Sequence, residues 1–146
     1  MKLDVFEPAF VEFVPRELSS GVLYLALEHA VAAHLCACGC DTKVVTPFNP
    51  AGWQLFFDGD SVSLTPSIGN WQFPCRSHYW IRGNRVQWAA PMSDVAIAFG
   101  RTRDARQLET YFAMRQDDLE AADRPSESGA ATEGPLRRVW RRLWRP

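Results

Sequence analysis

HYWIRGNRVQW, residues 78–88, decides the architecture. His78-Tyr79-Trp80-Ile81-Arg82 and Arg85-Val86-Gln87-Trp88 are rich in aromatic and β-branched residues. They flank Gly83-Asn84, residue types that tolerate the positive φ of a tight hairpin turn, so the segment is an antiparallel hairpin. Upstream, Trp53-Gln54-Leu55-Phe56-Phe57 and Ser61-Val62-Ser63-Leu64 flank Asp58-Gly59-Asp60 in the same way. Lys43-Val44-Val45-Thr46 reads as a strand stopped by Pro47. Val22-Leu23-Tyr24-Leu25-Ala26-Leu27 is apolar on both faces, which places it centrally in its sheet. Phe10-Val11-Glu12-Phe13-Val14 reads as the first strand, stopped by Pro15.

The period changes after Pro91. Ser93 suits the cap of a short helical piece. From Asp104 to about Glu120, Leu108, Tyr111, Phe112, Arg115 and Leu119 fall at helical spacings, which predicts a helix packed on the sheet. Residues 123–135, DRPSESGAATEGP, are small and polar without an apolar period and read as a disordered linker. Residues 136–146 put Leu136, Val139, Trp140, Leu143 and Trp144 on one helical face and five arginines on the other. The expected fold is α+β: a small, mostly antiparallel β-sheet domain with a zinc-binding knuckle and one C-terminal helix over 1–122, then the linker and a short basic amphipathic helix.

The chain has 146 residues, 47% hydrophobic and 23% charged, the balance of an ordinary globular domain. Its net charge of -1 conceals segregation. With five of the 16 basic residues in the tail, the preceding 135 residues carry 11 against 17 acidic ones, a net of -6. The tail suits an acidic groove on a partner, an anionic membrane surface or a nucleic-acid backbone. A nucleic-acid partner rests on that tail and a zinc alone and is disfavoured. Asp4 and Glu7 interrupt any apolar core of a signal peptide, and Gly21 to Ala33 is broken by Glu28 and His29, short of the roughly 20 apolar residues of a membrane helix. A cytoplasmic location is expected.

The four cysteines lie within one stretch bracketed by histidines: His34-Leu35-Cys36-Ala37-Cys38-Gly39-Cys40 and Cys75-Arg76-Ser77-His78. In a reducing compartment clustered thiols serve as metal ligands or catalytic groups more often than as disulfides. Cys-x-Cys-Gly resembles half of a zinc knuckle, and Cys75-x-x-His78 supplies a second pair. Six candidates exceed the four ligands of one zinc. Four thiolates would free both histidines for chemistry, whereas three with His78 would leave His34 and one thiol. Four protein ligands close a zinc to substrate, so the expected role is structural.

Catalytic candidates stand beside these ligands. Glu28 follows an apolar strand, where a carboxylate could orient His34 or act as a base. Thr65-Pro66-Ser67-Ile68-Gly69-Asn70-Trp71 reads as a polar turn, with Ser67 as a nucleophile and the amides near Gly69 and Asn70 as oxyanion donors. Ser77 is the competing hydroxyl. Turns with Ser, Gly and Asn are common, so spacing alone does not choose between them.

VEFVP at 11–15, GVLY at 21–24, Glu28, HLCACGC at 34–40, KVVTP at 43–47 and above all SLTPSIGNWQFPCRSHYWI at 63–81 resemble a small bacterial family of predicted metal-binding proteins. Its members are encoded beside ubiquitin-like proteins and E1-like and E2-like enzymes. The resemblance covers about residues 10–90. It implies a peptidase that trims or removes a ubiquitin-like protein, with E1-like and E2-like enzymes as further partners. The family's motif positions correspond to Glu28, His34, the CACGC cysteines, Ser67, Cys75, Ser77 and His78. The resulting expectation is a structural zinc on Cys36, Cys38, Cys40 and Cys75. His34 or His78, oriented by Glu28, would activate Ser67 or Ser77. An open zinc with Glu28 activating its water is the metallopeptidase variant, disfavoured by the four thiolates. The contrasting class is a non-catalytic zinc-binding adaptor that docks through an exposed Trp53, Trp71, Trp80 or Trp88.

Overall fold

The computed structural model describes residues 1–122. The readings of 123–135 and 136–146 lie outside the described residues. Eight strands and one helix follow in the order β1 (Glu7–Phe10), β2 (Val22–Ala26), β3 (Val31–Leu35), β4 (Lys43–Pro47), β5 (Gln54–Phe57), β6 (Val62–Gly69), β7 (His78–Arg82), β8 (Arg85–Trp88) and α1 (Asp94–Ala122). The fold is α+β, with two four-stranded sheets ordered β1-β2-β3-β4 and β5-β6-β7-β8. All neighbours are antiparallel except β1 and β2.

Alternation along the strands gives each sheet one apolar face, and the two faces meet in one core. Leu23, Leu25, Ala32 and Val44 come from the first sheet, with Phe6 just before it. Val62, Leu64, Ile68, Tyr79, Ile81 and Val86 come from the second. Both expected hairpins form. Gly83 and Asn84 adopt φ of 53° and 64°. Asn84 also ties three segments together: its side-chain oxygen accepts from Val62 N–H at 2.8 Å, its own N–H donates to the Val62 carbonyl and its carbonyl accepts from Phe6 N–H. The apolar run at 22–26 is central between β1 and β3, as its two-sided character requires.

Four expectations are corrected. The first strand is Glu7–Phe10 rather than Phe10–Val14. Pro8 is tolerated because β1 is an edge strand, while Phe13 has no core to enter, is 64% exposed, and lies against the His29 ring. Val31–Leu35 is a strand although Ala32, Ala33 and His34 carry little β-propensity. Thr65–Gly69 is the second half of β6 rather than a turn. The helix starts ten residues before Asp104, at Asp94, where the Ser93 hydroxyl accepts the Ala96 N–H at 3.3 Å, as an N-cap does.

One compact unit covers Met1–Tyr111, and the helix from Phe112 onward falls in a second. Ile97 is the only buried helix residue among those described, and Val95 and Phe99 are exposed. Leu108, at the centre of the expected helical face, is half-buried. No helix among the described residues is long and apolar enough to cross a membrane.

Asn84→Gly keeps the turn's φ but removes the acceptor for the Val62 amide. Urea denaturation is expected to show a loss of about 1–3 kcal/mol, and a change below about 0.5 kcal/mol would contradict the tie.

Candidate active site and thiol cluster

Two loops carry the cysteines to one point. The β3–β4 connection is a tight knuckle in which Cys36 N–H donates to the Thr42 carbonyl and Gly39 N–H to the Cys36 carbonyl. Gly39 is required twice over, since φ is +83° and a Cβ would fall 2.7 Å from the Met1 backbone. The β6–β7 connection closes through Asn70 N–H to the Ser77 carbonyl at 2.8 Å and presents Cys75. The sulfurs of Cys36, Cys38, Cys40 and Cys75 all lie within 4.8 Å of one another. Individual separations are 3.4 Å for Cys36–Cys38, 4.0 Å for Cys36–Cys75 and 3.7 Å for Cys40–Cys75. A tetrahedron with ~2.3 Å metal–sulfur bonds has edges of about 3.8 Å, so the four donors fit a tetrahedral ion that favours sulfur.

Two side chains from the β6–β7 connection face the Cys36 sulfur. It is 3.0 Å from Ser77 Oγ and 3.6 Å from Asn70 Nδ2. Asn70 Nδ2 also donates to Ser77 Oγ at 2.9 Å. Burial pushes the Cys36 thiol up, and the Ser77 hydroxyl opposes that shift. Burial likewise raises Cys38. Cys40, beside the Thr42 hydroxyl and amide, is pulled down to about 6. Outer donors of this kind orient and tune first-sphere ligands.

The two candidate histidines and two candidate serines separate cleanly. His34 is fully buried on β3, with Nε2 2.9 Å from Tyr79 Oη and Nδ1 without a partner among the described residues. Desolvation pulls its pKa down to about 3. It is a neutral core imidazole packed edge-on against Phe6. Ser77, 6% exposed, faces Cys36, Cys75 and Asn70. Ser67 and His78 meet each other: Ser67 Oγ is 2.9 Å from His78 Nε2. On its far side His78 Nδ1 faces the Ala90 carbonyl at 3.4 Å. A proton on Nδ1 directed at that carbonyl leaves Nε2 bare to accept the Ser67 O–H. Glu28 stands in the β2–β3 turn, on a groove with Phe10, Val11, Glu12, Leu25 and Leu27. Among the described residues no hydrogen bond or ion pair joins it to either histidine.

An irregularity in β6 aims Ser67. Leu64 pairs with Ile81 and Ile68 with Tyr79, so four residues of β6 span what two of β7 span. The extra residues bulge from the pleat around Pro66, and bulges re-aim side chains in this way. Beyond the bulge Gly69 pairs with His78. Ser67, Gly69, His78 and Trp80 share the outer face, while Ile68, Tyr79 and Ile81 enter the core. The Trp71 and Trp80 rings flank the His78 imidazole at 4.9 and 5.6 Å. A Cβ on Gly69 would collide with the Trp71 indole. Trp53, Trp71, Trp80 and Trp88 are all half-buried. The amide of Asn70, one of the expected oxyanion donors, is already committed to the Ser77 carbonyl.

The residues missed from the sequence are Asn70 as a side-chain donor, Tyr79 as the partner of His34, and the bulge. Pro66 inside a strand-like run was the available signal for the bulge.

Fold and site together define a small α+β domain with a surface hydroxyl–imidazole pair beside a closed thiol cluster. The chain belongs to the family described as bacterial ubiquitination-like system serine protease (BubE), whose model matches residues 10–89. No curated protein and no solved structure matches it.

With a thiolate-favouring ion loaded, Ser77→Ala is expected to weaken metal binding by about 10–100-fold, while Ser67→Ala leaves it unchanged. Competition with a chromophoric chelator measures both. Equal affinity of Ser77→Ala and the unsubstituted protein would remove Ser77 from the cluster's support.

Proposed function

We propose that the chain is a serine hydrolase that cuts the peptide or isopeptide bond after the terminal glycine of a ubiquitin-like protein, with Ser67 as nucleophile and His78 as general base. The observation that carries this reading is the 2.9 Å approach of Ser67 Oγ to His78 Nε2, the nucleophile–base contact that such chemistry needs. The family's description as a serine protease of a bacterial ubiquitination-like system supports the substrate class.

In the first half-reaction Ser67 Oγ adds to the scissile carbonyl as its proton passes to His78 Nε2. The tetrahedral adduct collapses, the C–N bond breaks, and His78 returns that proton to the departing amine, leaving an ester on Ser67. Water then attacks the ester with His78 again taking a proton, and the carboxylate leaves as Ser67 is reprotonated. The Ala90 carbonyl does the orienting work on Nδ1 that a carboxylate performs in other triads, so Glu28 lies outside the catalytic group.

A zinc ion on Cys36, Cys38, Cys40 and Cys75 is the reading that suits these donors. Bound there it supplies cross-linking between the β3–β4 and β6–β7 loops, with no ligand position left for substrate. Ser77 and His34 then support the cluster and the core rather than the reaction.

Ser67→Ala and His78→Ala are each expected to lower kcat by roughly 10^3-fold or more, with metal content and circular dichroism unchanged. Glu28→Gln is expected to stay within about 3-fold of the parent, well short of the roughly 10^2-fold or larger effect of a general acid–base group. Cleavage of a ubiquitin-like precursor, followed by mass spectrometry, reads all three. Ser67→Ala retaining more than about a tenth of the activity would overturn the assignment, because a nucleophile is worth orders of magnitude.

A further inference from the structure

We infer that the scissile segment of the substrate docks as an added strand along Ser67–Gly69, on the side that β5 leaves open, through the N–H and C=O of Gly69. The inference rests on Ser67 as the nucleophile.

The ladder shows which way Gly69 faces. Gly69 is opposite His78. The next bond in the ladder runs from Asn70 N–H to the Ser77 carbonyl, and the His78 carbonyl accepts from Ala89 N–H at 2.9 Å. Gly69 and His78 are therefore a non-hydrogen-bonded pair, and the N–H and C=O of Gly69 point away from β7. On that side β5 has already departed. Its last partner on β6 is Thr65, opposite Gln54, and the preceding residue, Trp53, bridges instead to Phe48. Among the described residues no strand pairs with β6 beyond Thr65 on the side opposite β7.

The open length of backbone coincides with the reacting groups. Thr65 and Pro66 are exposed, and Ser67 and Gly69 are partly so. An extended segment laid there would give one N–H to the Gly69 carbonyl and accept the Gly69 N–H on its own carbonyl, which is how added strands are held. Its carbonyl one or two residues on would then pass Ser67 Oγ. The Trp71 indole occupies the space where a side chain on residue 69 would stand. A substrate residue alongside Gly69 meets that indole, so a short side chain fits there. The occupant is thus an extended polypeptide with a small residue near the cut, recognised through its backbone.

The test uses a peptide of extended sequence ending in a glycyl coumarin amide and analogues carrying one N-methyl group at each successive backbone nitrogen. Because the contacts are to backbone, the parent peptide is expected to be cut by the full chain. One N-methyl position is expected to lower kcat/KM by about 10-fold or more, and its two neighbours, whose N–H groups point the other way, by less than about 3-fold. Uniform losses along the peptide, or a parent peptide left intact, would overturn the docking mode. Ser67→Ala cleaving the parent peptide as well as the unsubstituted chain would instead overturn the nucleophile, so the two failures are distinguishable. Trp71→Ala is expected to raise relative cleavage of a peptide with leucine beside the cut. An unchanged glycine-to-leucine ratio would remove Trp71 from the specificity.

Discussion

The 2.8 Å hydrogen bond from Asn70 N–H to the Ser77 carbonyl closes the β6–β7 loop, and the site hangs from that closure. Two residues before Ser77 stands Cys75, a member of the thiol cluster; the next residue is His78, whose imidazole meets Ser67. One backbone contact therefore sets both the sulfur geometry and the imidazole position. The Asn70 side chain reinforces it by donating to Ser77 Oγ at 2.9 Å. Any ion held by the four sulfurs would pin the same loop from its other side. Metal loss would then relax His78 without the metal touching the substrate.

The two halves of the site obey opposite solvent rules. The Cys36–Ser77–Asn70–Tyr79–His34 group is buried, so each polar atom there needs a partner, and unsatisfied ones are costly. The Nδ1 of His34, without a partner among the described residues, is the exception; with the ring proton on Nε2, shared with Tyr79 Oη, it would be a bare acceptor, the less demanding of the two tautomers. The Ser67–His78 pair lies on the outer face of its sheet, where substrate and water can reach it. Indoles on either side exclude part of the solvent around the imidazole while leaving Ser67 approachable.

Much of this was legible in the sequence. Gly83-Asn84 and Asp58-Gly59-Asp60 carry their hairpins by local backbone preference, and the two-sided apolar run at 22–26 marks a central strand. Cysteine spacing led to the cluster because a knuckle is a local structure. Which serine meets which histidine was not legible. Ser67 and Ser77 are both close in sequence to His78, and the choice depends on a bulge whose register only cross-strand pairing defines. His34 and Glu28 failed to meet for a related reason: one points into the shared core of two sheets, and the other sits on the turn outside it. The start of the helix was hidden because Gly100 and Thr102 lower helix propensity between Ser93 and Asp104.

The central claim is that Ser67, activated by His78, forms the covalent ester. Intact-mass and peptide mapping after treatment with a fluorophosphonate measures this directly. The account predicts a single adduct on Ser67 that His78→Ala abolishes. An adduct on Ser77, or an active protein that takes up no label, would contradict it.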